Sequence, residues 1–167
     1  MNIKHEVNLY NTLLFLSRNI FFYTKIKLKD SFETRIYLMF FHFSIMMKIF
    51  KNKNKKFDQK YYDQLFNFIE NDLRELGFGD VSVNKKMKDL NKTLYDILLK
   101  IEKPNQKEFS ISEKLVFKYF TEFDDNKSNN YQVFERYFIN FYKFCFELPP
   151  NSMIREVLNF KDNYGST

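Results

Sequence analysis

The chain has 167 residues, 44% hydrophobic and 29% charged, with a formal net charge of +6, enough for one globular domain with a sizeable core. It holds 22 Phe and 11 Tyr but no Trp and no Ala; Phe, Tyr, Met, Ile, Asn and Lys, the residues of A/T-rich codons, fill more than half of it, so part of the lysine excess is compositional background. A single cysteine, Cys145, excludes a disulfide framework and a thiolate zinc site and fits a reducing compartment, while two histidines, His5 and His42, leave almost no material for an imidazole metal site or a Ser-His-Asp triad.

The three glycines, Gly77, Gly79 and Gly165, cannot supply a phosphate-cradling loop. Scarce Gly and Pro also argue against a β-sandwich. The expected fold is therefore all-α, a single-domain bundle of about seven helices spanning residues 1–167. Met1 to Tyr10 lacks the apolar core of a signal peptide.

Leu9, Leu13, Leu16, Ile20 and Tyr23, at three- and four-residue steps, predict a first helix over Val7 to Tyr23. Lys25-Ile-Lys-Leu-Lys29 alternates like a strand but has no partner strand, and reads as an extended connector. Asp30 with Glu33 fits a capping arrangement for a second helix, Ser31 to Phe50. Its run Ile36 to Met47 is too short to span a bilayer, which takes about 20 residues. A buried central helix is the favoured reading, and a helix leaning on a membrane or an apolar client the other. His42, on that run, reads as a hydrogen-bonded core histidine, and Arg35 as a partner for Asp30 or a more distant acid.

Lys51 to Lys56 is a cationic loop. A third helix follows from Asp58 to Leu76, with Tyr61, Leu65, Ile69, Leu73 and Leu76 on one stripe and Gly77 as its stop. Asp80 or Ser82 then caps a fourth helix to about Lys103. Its apolar stripe is Val83, Met87, Leu90, Leu94, Ile97 and Ile101, and Lys85, Lys88, Lys92, Asp96 and Lys100 lie opposite. Pro104 marks the exit. Ser110 with Glu113 predicts a helix to about Phe123, Asp124 to Asn130 a loop, and Tyr131 to Phe146 an aromatic helix that ends before Pro149-Pro150. Ser152 caps a last helix to about Phe160. Cys145, between two phenylalanines, reads as a small core residue.

Charge is uneven. Residues 1–100 carry net +7 and residues 101–167 net −1. Lys51, Lys53, Lys55, Lys56, Lys88 and Lys92 are the candidates for a basic surface facing RNA or anionic lipid, the alternative being a merely solvated face. Only five arginines and no recognition motif speak against specific DNA binding. No motif pairs the dispersed carboxylates with His42, so no catalysis and no cofactor are expected.

One stretch is more than a generic helix. Leu73-Arg-Glu-Leu-Gly-Phe-Gly-Asp-Val-Ser-Val83, followed by Lys86-Met87 and Tyr95, resembles the signature segment of the ubiquinol–cytochrome c chaperone family, the assembly factors of respiratory complex III. Collinear but weaker agreement at Arg18, Phe22-Tyr23, Asp30, Arg35 and His42 extends the resemblance over about residues 13–100. Where the family usually has Gly-Arg after the tyrosine, this chain has Asp96-Ile97. The aromatic C-terminal helices, residues 110–163, fall outside the resemblance.

The resemblance implies a non-catalytic assembly chaperone. Its client would be newly made cytochrome b, bound near a ribosome or an anionic membrane surface, with a small partner subunit. The setting would be the cytoplasm, peripheral at the inner membrane of a bacterium, or the mitochondrial matrix of a eukaryote. A peripheral membrane or RNA-binding helical module unrelated to respiratory assembly is the competing reading. The residues Arg74, Glu75, Gly77, Gly79, Asp80, Lys85 and Lys86 form the candidate corner. It is either a structural lock or the surface offered to a partner.

Overall fold

The computed structural model describes residues 8–125 and 129–161. His5, the start of the first predicted helix and the centre of the predicted Asp124–Asn130 loop lie outside them. The α-helical segments are α1 (Leu9–Ser17), α2 (Phe21–Thr24), α3 (Phe32–Asn52), α4 (Gln59–Glu75), α5 (Asp80–Lys100), α6 (Glu113–Tyr119), α7 (Asn130–Phe146) and α8 (Met153–Glu156). Short 3-10 turns follow α6 and flank α8. Among the described residues the only strand-like pairing is one antiparallel bridge, Glu102 with Ile111. The fold is all-α, with the expected seven helices recovered and the first broken in two.

That break has a local cause. The Asn19 side-chain carbonyl accepts the Phe21 amide at 3.1 Å and starts a new turn. The rotation brings Phe21 and Phe22 inside and leaves Ile20, expected on the buried stripe, 68% exposed. The connector after α2 keeps its alternation, with Ile26 and Leu28 buried and Lys25, Lys27 and Lys29 exposed. It is no strand, because Lys27 is left-handed with φ +66°.

Helix α3 is the centre. Its cap is Ser31, whose Oγ accepts the Thr34 amide at 3.2 Å, rather than Asp30; the shorter serine side chain reaches the free amide while Asp30 turns to Arg35 at 3.8 Å. Every residue from Leu38 to Met46 is buried, which fits a helix apolar on all sides and enclosed by protein. α1, α5 and α7 pack directly on it, and α4 packs on α1 and α5. No described helix is long and apolar enough to cross a membrane.

The aromatic C-terminal third supplies the last wall. Phe134, Tyr137, Phe138, Phe141 and Cys145 of α7 are buried, and the rings of Phe41 and Phe138 lie 5.8 Å apart. α6 is capped by Ser112, at 3.5 Å from the Leu115 amide, instead of Ser110. The Ser110 carbonyl is taken by the Lys103 amide at 2.9 Å in the small bridge, so Ser110 lies outside the helix. Ser152 begins α8 without a side-chain cap; its hydroxyl bonds Glu156 instead, at 3.0 Å.

His42 is the buried polar key of α3. Its Nδ1 lies 2.6 Å from the Leu38 carbonyl, an obligate acceptor, so Nδ1 carries the proton. Nε2 then accepts from the Tyr137 hydroxyl at 2.8 Å, tying α3 to α7. Burial lowers the imidazole pKa to about 3, against the smaller opposing pull of the Leu38 bond. The folded value lies below the ordinary 6.5, so unfolding takes up a proton as the pH falls through that window. The stabilisation is intact above about pH 6.5 and declines toward pH 3 by up to about 1.4 kcal/mol per pH unit. Urea midpoints taken from neutral pH downward should therefore fall more steeply for the native chain than for His42→Gln, which does not titrate.

Candidate functional site

The corner between α4 and α5 is built by the backbone first. Leu76 ends α4, and Gly77 follows with φ +97°, a conformation that disfavours any Cβ. The Gly77 amide bonds the Arg74 carbonyl at 3.0 Å and the Phe78 amide bonds the Leu73 carbonyl at 3.3 Å. This is the paired closure that satisfies the last carbonyls of a helix. Gly79 then starts α5 as its cap in extended backbone, φ −77° and ψ 168°. A Cβ there would meet nothing within 4 Å.

Asp80 is the first residue of α5 and makes no side-chain cap, contrary to the expectation from sequence. Its carboxylate accepts from Arg74 across the corner, and Arg74 also donates to Glu70 one turn back at 3.1 Å. The negative charge still favours the helix start through the backbone dipole. Arg74 and Asp80 thus form the expected lock between neighbouring helices. Glu75 is not part of it: among the described residues it makes no hydrogen bond or ion pair. Lys86 lies over the Phe78 ring, 4.6 Å from its centroid, while Lys85 is exposed.

Two grooves open beside this corner. The first, of about 380 Å³, runs between Phe32, Ile36 and Tyr37 of α3, Leu73 and Leu76 of α4, Phe78, and Leu90 of α5, with Glu33, Lys86 and Asp89 at its edge. The second, of about 330 Å³, shares Phe32, Ile36 and Leu76 and adds Leu14, Arg18, Arg35 and Glu75. Leu76, expected on the buried stripe of α4, is 58% exposed. It occupies the capping position, where the chain leaves the helix and the stripe runs past its neighbour. Phe78 and Val81 are exposed as well. Sequence periodicity did not find Phe32, Ile36 and Tyr37 as groove residues. The only signal was their position at the open end of an otherwise enclosed helix.

The scaffold around the grooves is pinned by polar contacts. The Tyr10 hydroxyl donates to Asp72, joining α1 to α4. Burial, then this bond, pushes the Tyr10 pKa upward. Tyr62 donates to Asn91 at 2.6 Å between α4 and α5. Asp96 accepts from Lys100 at 2.6 Å, Lys118 at 2.7 Å and the Tyr119 hydroxyl, joining α5 to α6. Partial burial alone would raise its pKa, but these donors hold it well below the carboxylate range.

The structure divides the candidate basic residues. α3 and α5 run parallel: Tyr37 shares a groove with Leu90 and Thr93, and Lys48 meets Glu102 at 3.9 Å. The Lys51–Lys56 loop therefore lies at the opposite end of α3 from the corner, about 30 Å away along a helix of that length. Lys51, Lys55 and Lys56 are exposed there. Lys53 is committed elsewhere: its ammonium donates to the carbonyls of Phe146 and, at 3.0 Å, Leu148 at the end of α7. Lys88 and Lys92 are exposed on α5.

These features define an all-α protein with an apolar groove open at a charged helical corner. Residues 24–110 match the model of the ubiquinol–cytochrome C chaperone family, just over half of the chain, and the chain belongs to that family. The matched stretch begins at the end of α2 and includes all of α3, the corner and α5, but not α1 or α6–α8. No curated protein and no solved structure matches the chain.

The two corner glycines should separate on substitution. Gly77→Ser should lower stability by about 1 kcal/mol through left-handed strain. Gly79→Ser, with open space and a side chain able to cap α5, should hold stability or raise it by a few tenths of a kcal/mol. Urea denaturation of both variants measures the contrast.

Proposed function

We propose that this assembly chaperone binds newly synthesised cytochrome b through the groove beside the α4–α5 corner and acts without catalysis. Family membership supports a role in assembling the ubiquinol–cytochrome c reductase complex. The observation that carries the choice of surface is the exposure of Leu76 and Phe78 on an apolar groove, with the exposed Val81 beside them, while Phe40, Phe41 and Phe43 of α3 and Phe134, Tyr137, Phe138 and Phe141 of α7 are buried. A membrane-protein segment leaving its site of synthesis presents apolar side chains that such a groove can shield. Glu33, Asp89 and Lys86, the last over the Phe78 ring, give the groove a polar rim.

The exposed Lys51, Lys55 and Lys56 at the far end suit contact with a polyanion such as ribosomal RNA. This leaves the groove end of the molecule free for the client, with the protein peripheral at the membrane where that client inserts.

A photoreactive amino acid at Phe78 should crosslink to cytochrome b in cells, and one at Leu99, on the distal part of α5, should not. Deletion of the gene should lower the amount of assembled complex III, and Leu76→Asp should reproduce much of that loss with the helical content intact. Normal complex III in a clean deletion would overturn the proposal.

A further inference from the structure

A pocket of about 450 Å³ lies at the end of the bundle opposite the client groove, between the loop that joins α3 to α4 and the turn that leads into α8. Its volume is that of a small-ligand site. Phe57 and Tyr61 give it an aromatic wall, and Asn151 and Ser152 bring an amide and a hydroxyl. Lys56 enters from the first segment and Arg155 from the second, and both are exposed. The half-buried Phe57 ring packs edge-on against Phe43 at 5.3 Å and Phe50 at 5.1 Å, which fixes the wall from behind.

The charge of this region does not depend on any single side chain. Residues 51–61 and 147–156 together hold six cations, Lys51, Lys53, Lys55, Lys56, Lys60 and Arg155, against three carboxylates, Asp58, Glu147 and Glu156. Two of those carboxylates are turned to local bonds. Asp58, which also lines the pocket, accepts the Lys60 amide at 3.0 Å, and Glu156 accepts from the Ser152 hydroxyl at 3.0 Å. A cationic pocket with rings and hydrogen-bonding groups suits a flat aromatic ring joined to an anion. An acyl chain would desolvate the Asn151 amide and the Asp58 carboxylate without giving them partners. An acidic peptide side chain would meet the cations but bring no ring to Phe57 and Tyr61.

We propose that this pocket takes one unpaired nucleotide of an RNA strand. The base lies against Tyr61 and Phe57, its edge meets Asn151 and Ser152, and Lys56 and Arg155 meet the adjoining phosphates. Lys51 and Lys55, exposed on the same loop, extend the cationic path to neighbouring phosphates, which favours a strand over a free nucleotide. This assignment rests on the far end being a polyanion contact, and adds that an unpaired base is what it holds. The client groove at the α4–α5 corner takes no part in it.

In fluorescence anisotropy at physiological ionic strength, the purified full chain should bind single-stranded oligoadenylate at least tenfold more tightly than its duplex with oligouridylate or inorganic polyphosphate of equal charge. Adenosine monophosphate should compete at least tenfold less well than the strand. Tyr61→Leu, which removes the ring and keeps the apolar bulk, should lower affinity for the strand about tenfold and leave affinity for polyphosphate unchanged. Arg155→Gln should weaken both and lower the slope of log affinity against log salt by about 0.7. Circular dichroism checks the fold. A thiouridine-bearing strand, photocrosslinked to the native chain, should form adducts within residues 56–61 or 150–155, so the test does not hang on a variant. Duplex or polyphosphate binding as tight as the strand, equal competition by the mononucleotide, or adducts confined to other residues would each overturn the proposal and leave the polyanion contact standing. No binding of any of these polyanions would overturn both, with crosslinking of cytochrome b at Phe78 unaffected.

Discussion

Everything in this molecule is arranged around the need to enclose α3. A helix apolar on one stripe needs one neighbour, but one buried continuously from Leu38 to Met46 needs cover on every side. α1, α5 and α7 provide it. Full burial of a phenylalanine contributes about 2 kcal/mol, and α3 alone buries Phe40, Phe41 and Phe43 completely. Exposed ion pairs are small beside that. The demand also explains the aromatic C-terminal third: without α7, the side of α3 carrying Phe41, His42 and Ile45 would face water. The family-matched stretch therefore depends on a wall that lies outside it.

The corner shows the opposite balance. Arg74, Asp80 and Glu70 are substantially exposed, so their pairing orients the helices more than it holds them. The backbone closure at Gly77 does the holding. Once the turn is fixed that way, Leu76 and Phe78 cannot both retreat into the core, and part of each stays at the lip of the groove. Exposure at this site is a by-product of a well-formed helix ending. It is neither loose packing nor disorder of the elements that frame it.

Periodicity was enough to read α4 and α5. The inner residues Leu65, Ile69, Leu73, Val83, Leu94 and Ile97 are buried as their spacing requires, because each helix runs uninterrupted through these positions. The same rule misplaced Ile20 and Leu76, which sit where a helix stops or restarts and the angular count is reset. Caps were off by a residue or two at Asp30 and Ser110, where Ser31 and Ser112 cap instead, because three-dimensional reach and the small bridge before α6 decide which side chain meets the free amide. The corner residues were legible as a set through their resemblance to a family. The groove was not, since Phe32, Ile36 and Tyr37 come from a helix some forty positions earlier in the chain. Glu75 and Lys53 show the remaining gap: sequence tells which residues carry charge, but not which charges are already spoken for.

The hydrogen bond between His42 and Tyr137 has a consequence beyond its own strength. Much of the surrounding interior consists of phenylalanines, which are near-copies of one another in size and chemistry, and one such ring can exchange places with another at little loss. A slip of α7 along α3 by one turn would still bury rings against rings. It would, however, take the Tyr137 hydroxyl away from His42 Nε2 and leave that buried nitrogen unsatisfied, a penalty of about 1–3 kcal/mol. In a core written in so repetitive an alphabet, that buried polar contact serves as an index mark that favours one alignment of the two helices as the native one.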